Sequence, residues 1–230
     1  MSLYQLMYNY AHGRGQPPAP DLPAAELGKS LALFHNCLVE SGMEFQENMG
    51  SRQISADPNQ LKPVHLSRFV VGFLPFNSVS TKTETNEILF DLFSFLKWLE
   101  RQDITHGLAH IDFQKTVQAL THAQDRCLQL SHFLDDETGR VLEEPPRILS
   151  TINDMFRVTQ IDGNTLYLQG DHQEDPVRVR LSGEIMNLVR LHDHLDLVLG
   201  DTSERWVVLE AGQVFPESVP GGERSRRVQA

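Results

Sequence analysis

The chain has 230 residues, and its 20 Lys and Arg against 31 Asp and Glu give a formal net charge of -11 with neutral histidines. This acidity argues against a nucleic-acid partner, because contacts to a polyanion require a surplus of Lys and Arg. The apolar runs are shorter than the about 20 residues that span a bilayer, so no membrane partner is expected. Two cysteines, Cys37 and Cys127, lie far apart in apolar segments, which predicts a reduced cytoplasmic protein.

Residues 1–22 are predicted to form an N-terminal arm and a Pro-rich linker. The first ten residues carry apolar side chains at helical spacing, namely Leu3, Leu6, Met7 and Tyr10. The glycines and prolines that follow are incompatible with a continuous helix. We therefore expect a short arm that docks on the core, followed by an irregular linker.

Residues 23–135 are predicted to form an all-helical domain, because apolar residues recur there at helical spacing. Four helices are expected, from Pro23 to about Gly42, from Lys62 to Leu74, from Thr81 to Arg101, and from Asp112 to Leu134. In the third helix, Thr81 and Glu84 have the spacing of a capping box. Its inward stripe is expected to comprise Ile88, Leu89, Leu92, Phe95, Leu96 and Leu99. This helix is expected to be the central element of the domain.

Residues 136–149 are predicted to be a linker, because Gly139 and the pair Pro145-Pro146 interrupt the helical period. After Pro146 the apolar residues alternate with polar ones, as they do in half-buried strands. Strands are expected at Met155 to Ile161, Thr165 to Gln169, Val177 to Leu181, Leu195 to Leu199, Trp206 to Glu210 and Val214-Phe215. Asp162-Gly163-Asn164 favours a hairpin between the first two. A short helix is expected between Gly183 and Leu191.

Five or six strands within residues 150–216 indicate a small antiparallel β-barrel. The order of strands around a short helix is compatible with an OB-like barrel, and an SH3-like barrel is the alternative. Residues 217–230 are polar and basic and are predicted to be a disordered tail. The predicted fold class is therefore α+β, with an N-terminal all-helical domain followed by the small barrel.

The segment His192-Asp193-His194-Leu195-Asp196 contains the candidate metal ligands of this sequence. In an extended segment, His192, His194 and Asp196 would lie on one face, where they could bind zinc or another divalent metal. The segment resembles the start of the metallo-β-lactamase signature, which implies a metal-dependent hydrolase. The resemblance covers five residues and ends at Leu197, where the family has a histidine. Too few residues follow for the second half of that fold.

Other catalytic motifs are missing from the sequence. It contains no Gly-x-Ser-x-Gly, no phosphate-binding Gly-x-x-x-x-Gly-Lys and no Gly-x-Gly-x-x-Gly. His106 and His110 have the spacing of a helical zinc pair, but Gly107 and the expected helix start at Asp112 place both in a connection. They are interpreted as surface or partly buried histidines.

The preferred hypothesis is a non-enzymatic binding or adaptor protein that binds a protein partner or associates with itself. The competing hypothesis is a metal-dependent hydrolase or metal-binding protein that uses residues 192–196. Residues 150–216 contain five Arg and no Lys against eleven Asp and Glu. The acidity is therefore shared by both predicted domains, which disfavours nucleic-acid binding by either one.

Overall fold

The computed structural model describes residues 1–15, 23–48, 51–77, 81–173 and 175–217. The chain divides into two compact units, Met1–Thr121 (unit 1) and His122–Ala230 (unit 2). The α+β class is confirmed, since helices dominate the first half and a five-stranded sheet the second. The Pro-rich linker at 16–22 and tail residues 218–230 lie outside the described residues. Within the described part of the chain, no helix has the length and apolar content of a membrane span.

Unit 1 begins with helix α1, Leu3–Gly13, where the sequence predicts an arm. The Ser2 side chain caps the helix by accepting a hydrogen bond from the Gln5 backbone N–H. One face of α1 is buried, which agrees with the expected docking on a core; it comprises Leu3, Tyr4, Leu6, Met7, Tyr10 and Ala11. Helix α2, Lys29–Glu40, follows a 3₁₀ turn at Ala25–Leu27 and buries apolar residues that include Leu31, Phe34 and Leu38.

The prediction of an all-helical N-terminal domain is wrong at one place. Strands β1, Phe45–Asn48, and β2, Ser51–Ile54, form an antiparallel pair in unit 1. Their residues are mostly polar, and Ile54 is the β2 side chain that is fully buried. Because so few of their side chains enter the core, the hydrophobic pattern of these strands gives no clear signal.

The second predicted helix is confirmed in position but is irregular. Helix α3, Pro63–Ser67, continues into a π-helix at Arg68–Phe73 and then a 3₁₀ turn at Leu74–Phe76. Its apolar residues Leu66, Phe69, Val70, Phe73 and Leu74 are all buried. Pro75 lies in the final turn, where the helix ends.

Helix α4, Lys82–Arg101, agrees with its prediction. The Thr81 hydroxyl accepts a hydrogen bond from the Glu84 backbone N–H at 3.2 Å, which satisfies one free donor of the first turn. The buried residues are the six of the predicted stripe: Ile88, Leu89, Leu92, Phe95, Leu96 and Leu99. Phe90 projects away from this stripe and is 68% exposed.

Helix α5, Phe113–Glu143, is longer than predicted and continues into the predicted linker. Asp112 caps its start, because Oδ1 accepts a hydrogen bond from the Lys115 backbone N–H. Gly139 lies within the helix; a helical glycine costs only about 1 kcal/mol, and Glu137, Arg140, Leu142 and Glu143 around it are good helix formers. The helix ends just before the Pro145-Pro146 pair, which is incompatible with its continuation.

The described residues of unit 2 form five strands around a buried centre. They are β3 (Ser150–Asp162), β4 (Thr165–Gly170), β5 (Val177–Arg180), β6 (His194–Asp201) and β7 (Trp206–Phe215). The strands pair in the closed order β3-β4-β5-β7-β6, and β3 also pairs with β6. The predicted turn joins β3 to β4, where Gly163 has a φ of +53°. Helix α6, Gly183–Leu188, lies between β5 and β6 in the chain.

The expectation of a wholly antiparallel barrel is wrong for one pair of strands. β5 and β7 run parallel and pair through Val179 and Trp206. The two strands predicted after Trp206 form the single strand β7, whose pairing with β6 contains register shifts. These bulges interrupt the alternation of buried and exposed side chains from which strands are predicted.

The core of unit 2 is built from alternate residues of the strands and from one face of α5. Cys127, Leu130 and Leu134 of the helix pack with the inward side chains of the sheet. Cys127 is thus a small core residue, and both cysteines are buried and free.

Truncating Leu92 should strongly destabilise unit 1. Leu92→Ala leaves a cavity in the centre of the helical core, so we expect a loss of about 2–5 kcal/mol in the free energy of unfolding. Urea unfolding of the full chain measures this loss. Phe90→Ala, on the exposed side of the same helix, should change the stability by only about 0.5 kcal/mol. Equal losses in the two variants would contradict the placement of α4.

Candidate functional site

The structure places the three predicted metal ligands in different backbone settings. His192 lies before β6 in a left-handed conformation with a φ of +68°, so it is not part of an extended segment. His194 and Asp196 alternate along β6 with the buried Leu195 and Leu197, and therefore share the outer face. Among the described residues, no three His, Cys, Asp or Glu side chains are arranged to hold a metal ion.

The residue between the two histidines has a clear structural role. Asp193 is 1% exposed, and its carboxylate accepts two hydrogen bonds from the Arg126 guanidinium, at 2.6 and 2.8 Å. The Arg190 backbone N–H donates a third at 2.8 Å. Arg126 also donates to the Leu188 carbonyl. The pair therefore joins α5 to the connection between α6 and β6, with geometry that satisfies the buried charge.

His172 lies in the turn after β4, where it contacts Asp154. Its backbone N–H donates to Oδ2 of the buried Asp154 at 3.2 Å, and its ring Nδ1 lies 3.3 Å from the same oxygen. The carboxylate of Asp154 thus orders the turn after β4. No sequence motif marks this contact, because eighteen residues separate its partners.

A groove of about 620 Å³ lies along β5 in unit 2. Ile152, Pro176, Val177 and Trp206 give it apolar contact area. This volume is within the usual range of ligand sites. The groove is bounded by the turn before β5 and by the turn that leads into β7, so both turns can contact an occupant.

One edge of β5 is only partly used by the sheet. β5 pairs with β4 through four residue pairs, from Val177 to Arg180, but with β7 only through Val179 and Trp206. The backbone beside the groove therefore retains capacity to pair with an added extended segment.

Three arginines, Arg178, Arg180 and Arg205, line this groove and are exposed. They are three of the five arginines in residues 150–216. None forms an ion pair with a carboxylate of the described residues, although Asp175 and Glu204 also line the groove. Guanidinium groups bind carboxylates and phosphates through two parallel hydrogen bonds. We call Arg178, Arg180, Arg205 and Trp206, with the edge of β5, the arginine groove.

The sequence predictions missed the arginine groove. Arg178 and Arg180 alternate with buried valines and point the same way, but Arg205 comes much later in the chain. Only the parallel pairing of β5 with β7 brings the three together. The alternation Val-Arg-Val-Arg was the available signal, because it predicts a strand with a basic outer face.

Comparisons with known proteins identify no family for this chain. No family model, curated protein or solved structure matches it. Function is therefore inferred from the residues of the two units.

Breaking the Arg126 to Asp193 pair should destabilise unit 2. Arg126→Met leaves a buried carboxylate without its cation, so we expect a loss of about 3–5 kcal/mol in the free energy of unfolding. Chemical denaturation measures it. Arg140→Met is the matched control, because Arg140 forms an exposed pair with Glu137 on the same helix; its cost should be about 0.5 kcal/mol. Adding Asp193→Asn to Arg126→Met should recover part of the loss, and a further loss instead would contradict this role.

Proposed function

We propose that this chain is a non-enzymatic binding protein of the adaptor type, whose arginine groove holds an extended acidic segment of a partner protein. The observation that carries the proposal is the set of three guanidinium groups without carboxylate partners among the described residues. They are concentrated at one groove of an otherwise acidic unit. A ligand with carboxylates on one side would complement them.

The partly unpaired edge of β5 suggests how such a segment would bind. An extended peptide beside β5 would form backbone hydrogen bonds that do not depend on its sequence, and its side chains would supply the specificity. Arg178 and Arg180 are two residues apart on one face of the strand. Acidic residues at alternate positions of the peptide repeat at the same roughly 7 Å spacing. The apolar contact area of Trp206 suits the side chain of an intervening residue.

A protein segment is favoured over single-stranded nucleic acid by the groove's composition. Binding of single strands relies on several aromatic side chains that stack on bases and on a continuous basic track. Trp206 is the aromatic residue that lines the groove, and it is half-buried against the core. Tyr167 is adjacent, but the Arg178 guanidinium lies over its ring at 5.5 Å. Asp175 and Glu204 interrupt the positive charge.

We also propose that the barrel of unit 2 belongs to the OB class rather than the SH3-like class. The closed pairing order of five strands and the position of α6 between the third and fourth strands of the barrel support this assignment. OB barrels bind ligands on the face of their second and third strands and at the turn between the fourth and fifth. The arginine groove lies at β5 and at the turn that contains Arg205.

Charge reversal in the groove tests the proposal. The probe is a labelled peptide that alternates Glu with Val, and its binding to the full chain is followed by fluorescence anisotropy. Arg180→Glu should weaken binding roughly tenfold, or ~1.4 kcal/mol, because one charge-assisted contact becomes repulsive. Arg157→Glu is the control, since it makes the same change in net charge on the exposed face of β3.

Two further measurements distinguish the binding modes. A peptide with methylated backbone nitrogens should bind weakly, because it cannot pair with β5. Oligothymidylate of matched length should bind less tightly than the peptide. Equal effects of Arg180→Glu and Arg157→Glu, or tighter binding of the oligonucleotide, would refute the proposal of an acidic protein segment in this groove.

The metal-dependent alternative remains a prediction, and one observation supports it. The ring Nδ1 atoms of His192 and His194 are buried without a hydrogen-bond partner among the described residues. Elemental analysis of protein purified without a His tag tests it. Stoichiometric zinc that His194→Ala removes would support a site with Asp196 as the third ligand. Metal-free protein, or a metal content that the substitution leaves unchanged, would exclude that site.

A further inference from the structure

Unit 1 contains a second cavity that the proposed adaptor function does not use. Its volume is about 190 Å³, and residues from α4, from the connection before α5 and from the start of α5 line it. Half of the lining residues are apolar, namely Phe93, Leu96, Leu108, Ile111 and Phe113, and the other half are polar or charged. The Phe93 and Phe113 rings lie 5.3 Å apart between centroids. The size resembles that of apolar cavities that hold one benzene molecule.

His106 is the unusual polar residue in this lining. Its side chain is 1% exposed, and neither ring nitrogen has a hydrogen-bond partner among the described residues. The nearest carboxylate oxygen, on Glu100, is 3.6 Å from Nε2, which is too long for a hydrogen bond. A buried imidazole without partners is costly, since a neutral ring has one donor and one acceptor to satisfy.

The backbone beside His106 is held firmly in place. The Gly107 N–H donates to the Pro58 carbonyl at 3.1 Å. A Cβ at Gly107 would collide with the Leu61 carbonyl oxygen, so the connection packs directly against the turn before α3. This close approach requires glycine. It keeps the imidazole at the cavity wall.

The charged groups around the cavity are already engaged. Lys97 Nζ lies 2.7 Å from a Glu100 carboxylate oxygen. Asp112 is occupied in capping α5. Burial lowers the pKa of His106 below its usual value, which favours the neutral imidazole. A charged ligand would therefore lose hydration without gaining a free counter-charge, which favours a neutral one.

We propose that this cavity binds a small, neutral, single-ring aromatic molecule that carries a hydroxyl group, with the ring between the apolar side chains and the hydroxyl on His106. A hydroxyl can donate to one ring nitrogen or accept from the other. The aromatic ring would pack with Phe93 and Phe113. The proposal is independent of the arginine groove, which belongs to unit 2.

The test compares phenol with toluene, which differ in the hydroxyl that His106 would bind. Both are titrated into the full chain by calorimetry. His106→Leu should lower the affinity for phenol roughly fivefold, the effect of one lost hydrogen bond, and leave the affinity for toluene unchanged or higher. His110→Leu, at an exposed histidine of the same connection, should change neither affinity.

A readout on the unmodified chain covers the case in which His106→Leu does not fold. Phenol should shift the imidazole NMR signals of His106 saturably and leave those of His110 in place. The proposal is overturned if phenol does not bind saturably, if the shifts appear at His110 to the same extent, or if His106→Leu weakens phenol and toluene binding equally.

Discussion

A carboxylate that is buried away from water needs hydrogen-bond donors around it. In unit 2 one such carboxylate is that of Asp193. Arg126 supplies two hydrogen bonds and the Arg190 backbone N–H a third. The Asp193 backbone is fixed as well, because its carbonyl accepts a hydrogen bond from Val158 of β3. Since His194 begins β6, these contacts set the register in which β6 pairs with β3, and they explain the left-handed turn at His192.

Closure of the sheet through a single β5 to β7 residue pair has two consequences. It completes the barrel order, and it leaves backbone groups of β5 beside an exposed groove. An open edge can pair with another copy of the same strand, and charged side chains oppose this. Pairing of two copies of β5 would place Arg178 and Arg180 of one copy near those of the other, and the like charges would repel. The same arginines that would discourage self-pairing would attract the acidic segment that we propose as the ligand.

The elements that the sequence predicts well are those whose pattern and packing agree. α4 is such an element, because the Thr81 cap and a six-residue stripe both mark it and the core buries that stripe. β1 and β2 escape prediction because their polar residues make no periodic pattern. At Gly139, the cost of a single helical glycine is too small to end a helix whose neighbours favour it. Sequence patterns report the local preference of a segment for helix or strand. In these cases the residues around the segment decide which structure it forms.

The candidate sites are harder to predict from the sequence than the helices are, because they depend on contacts between residues that are distant in the chain. In residues 192–196 the histidines carry the sequence motif, whereas the structural role belongs to Asp193. Its buried carboxylate is paired with Arg126, which lies 67 residues away in the chain. The net charge of residues 150–216 also gives no sign of the arginine groove, because a net charge does not report where the charged side chains lie. Exposed charges are largely screened beyond about 8 Å at physiological salt. The acidic segment proposed for the groove would therefore interact with three arginines and two carboxylates, while the other acidic groups would mainly repel long polyanions. This combination favours a short acidic segment over an extended nucleic acid.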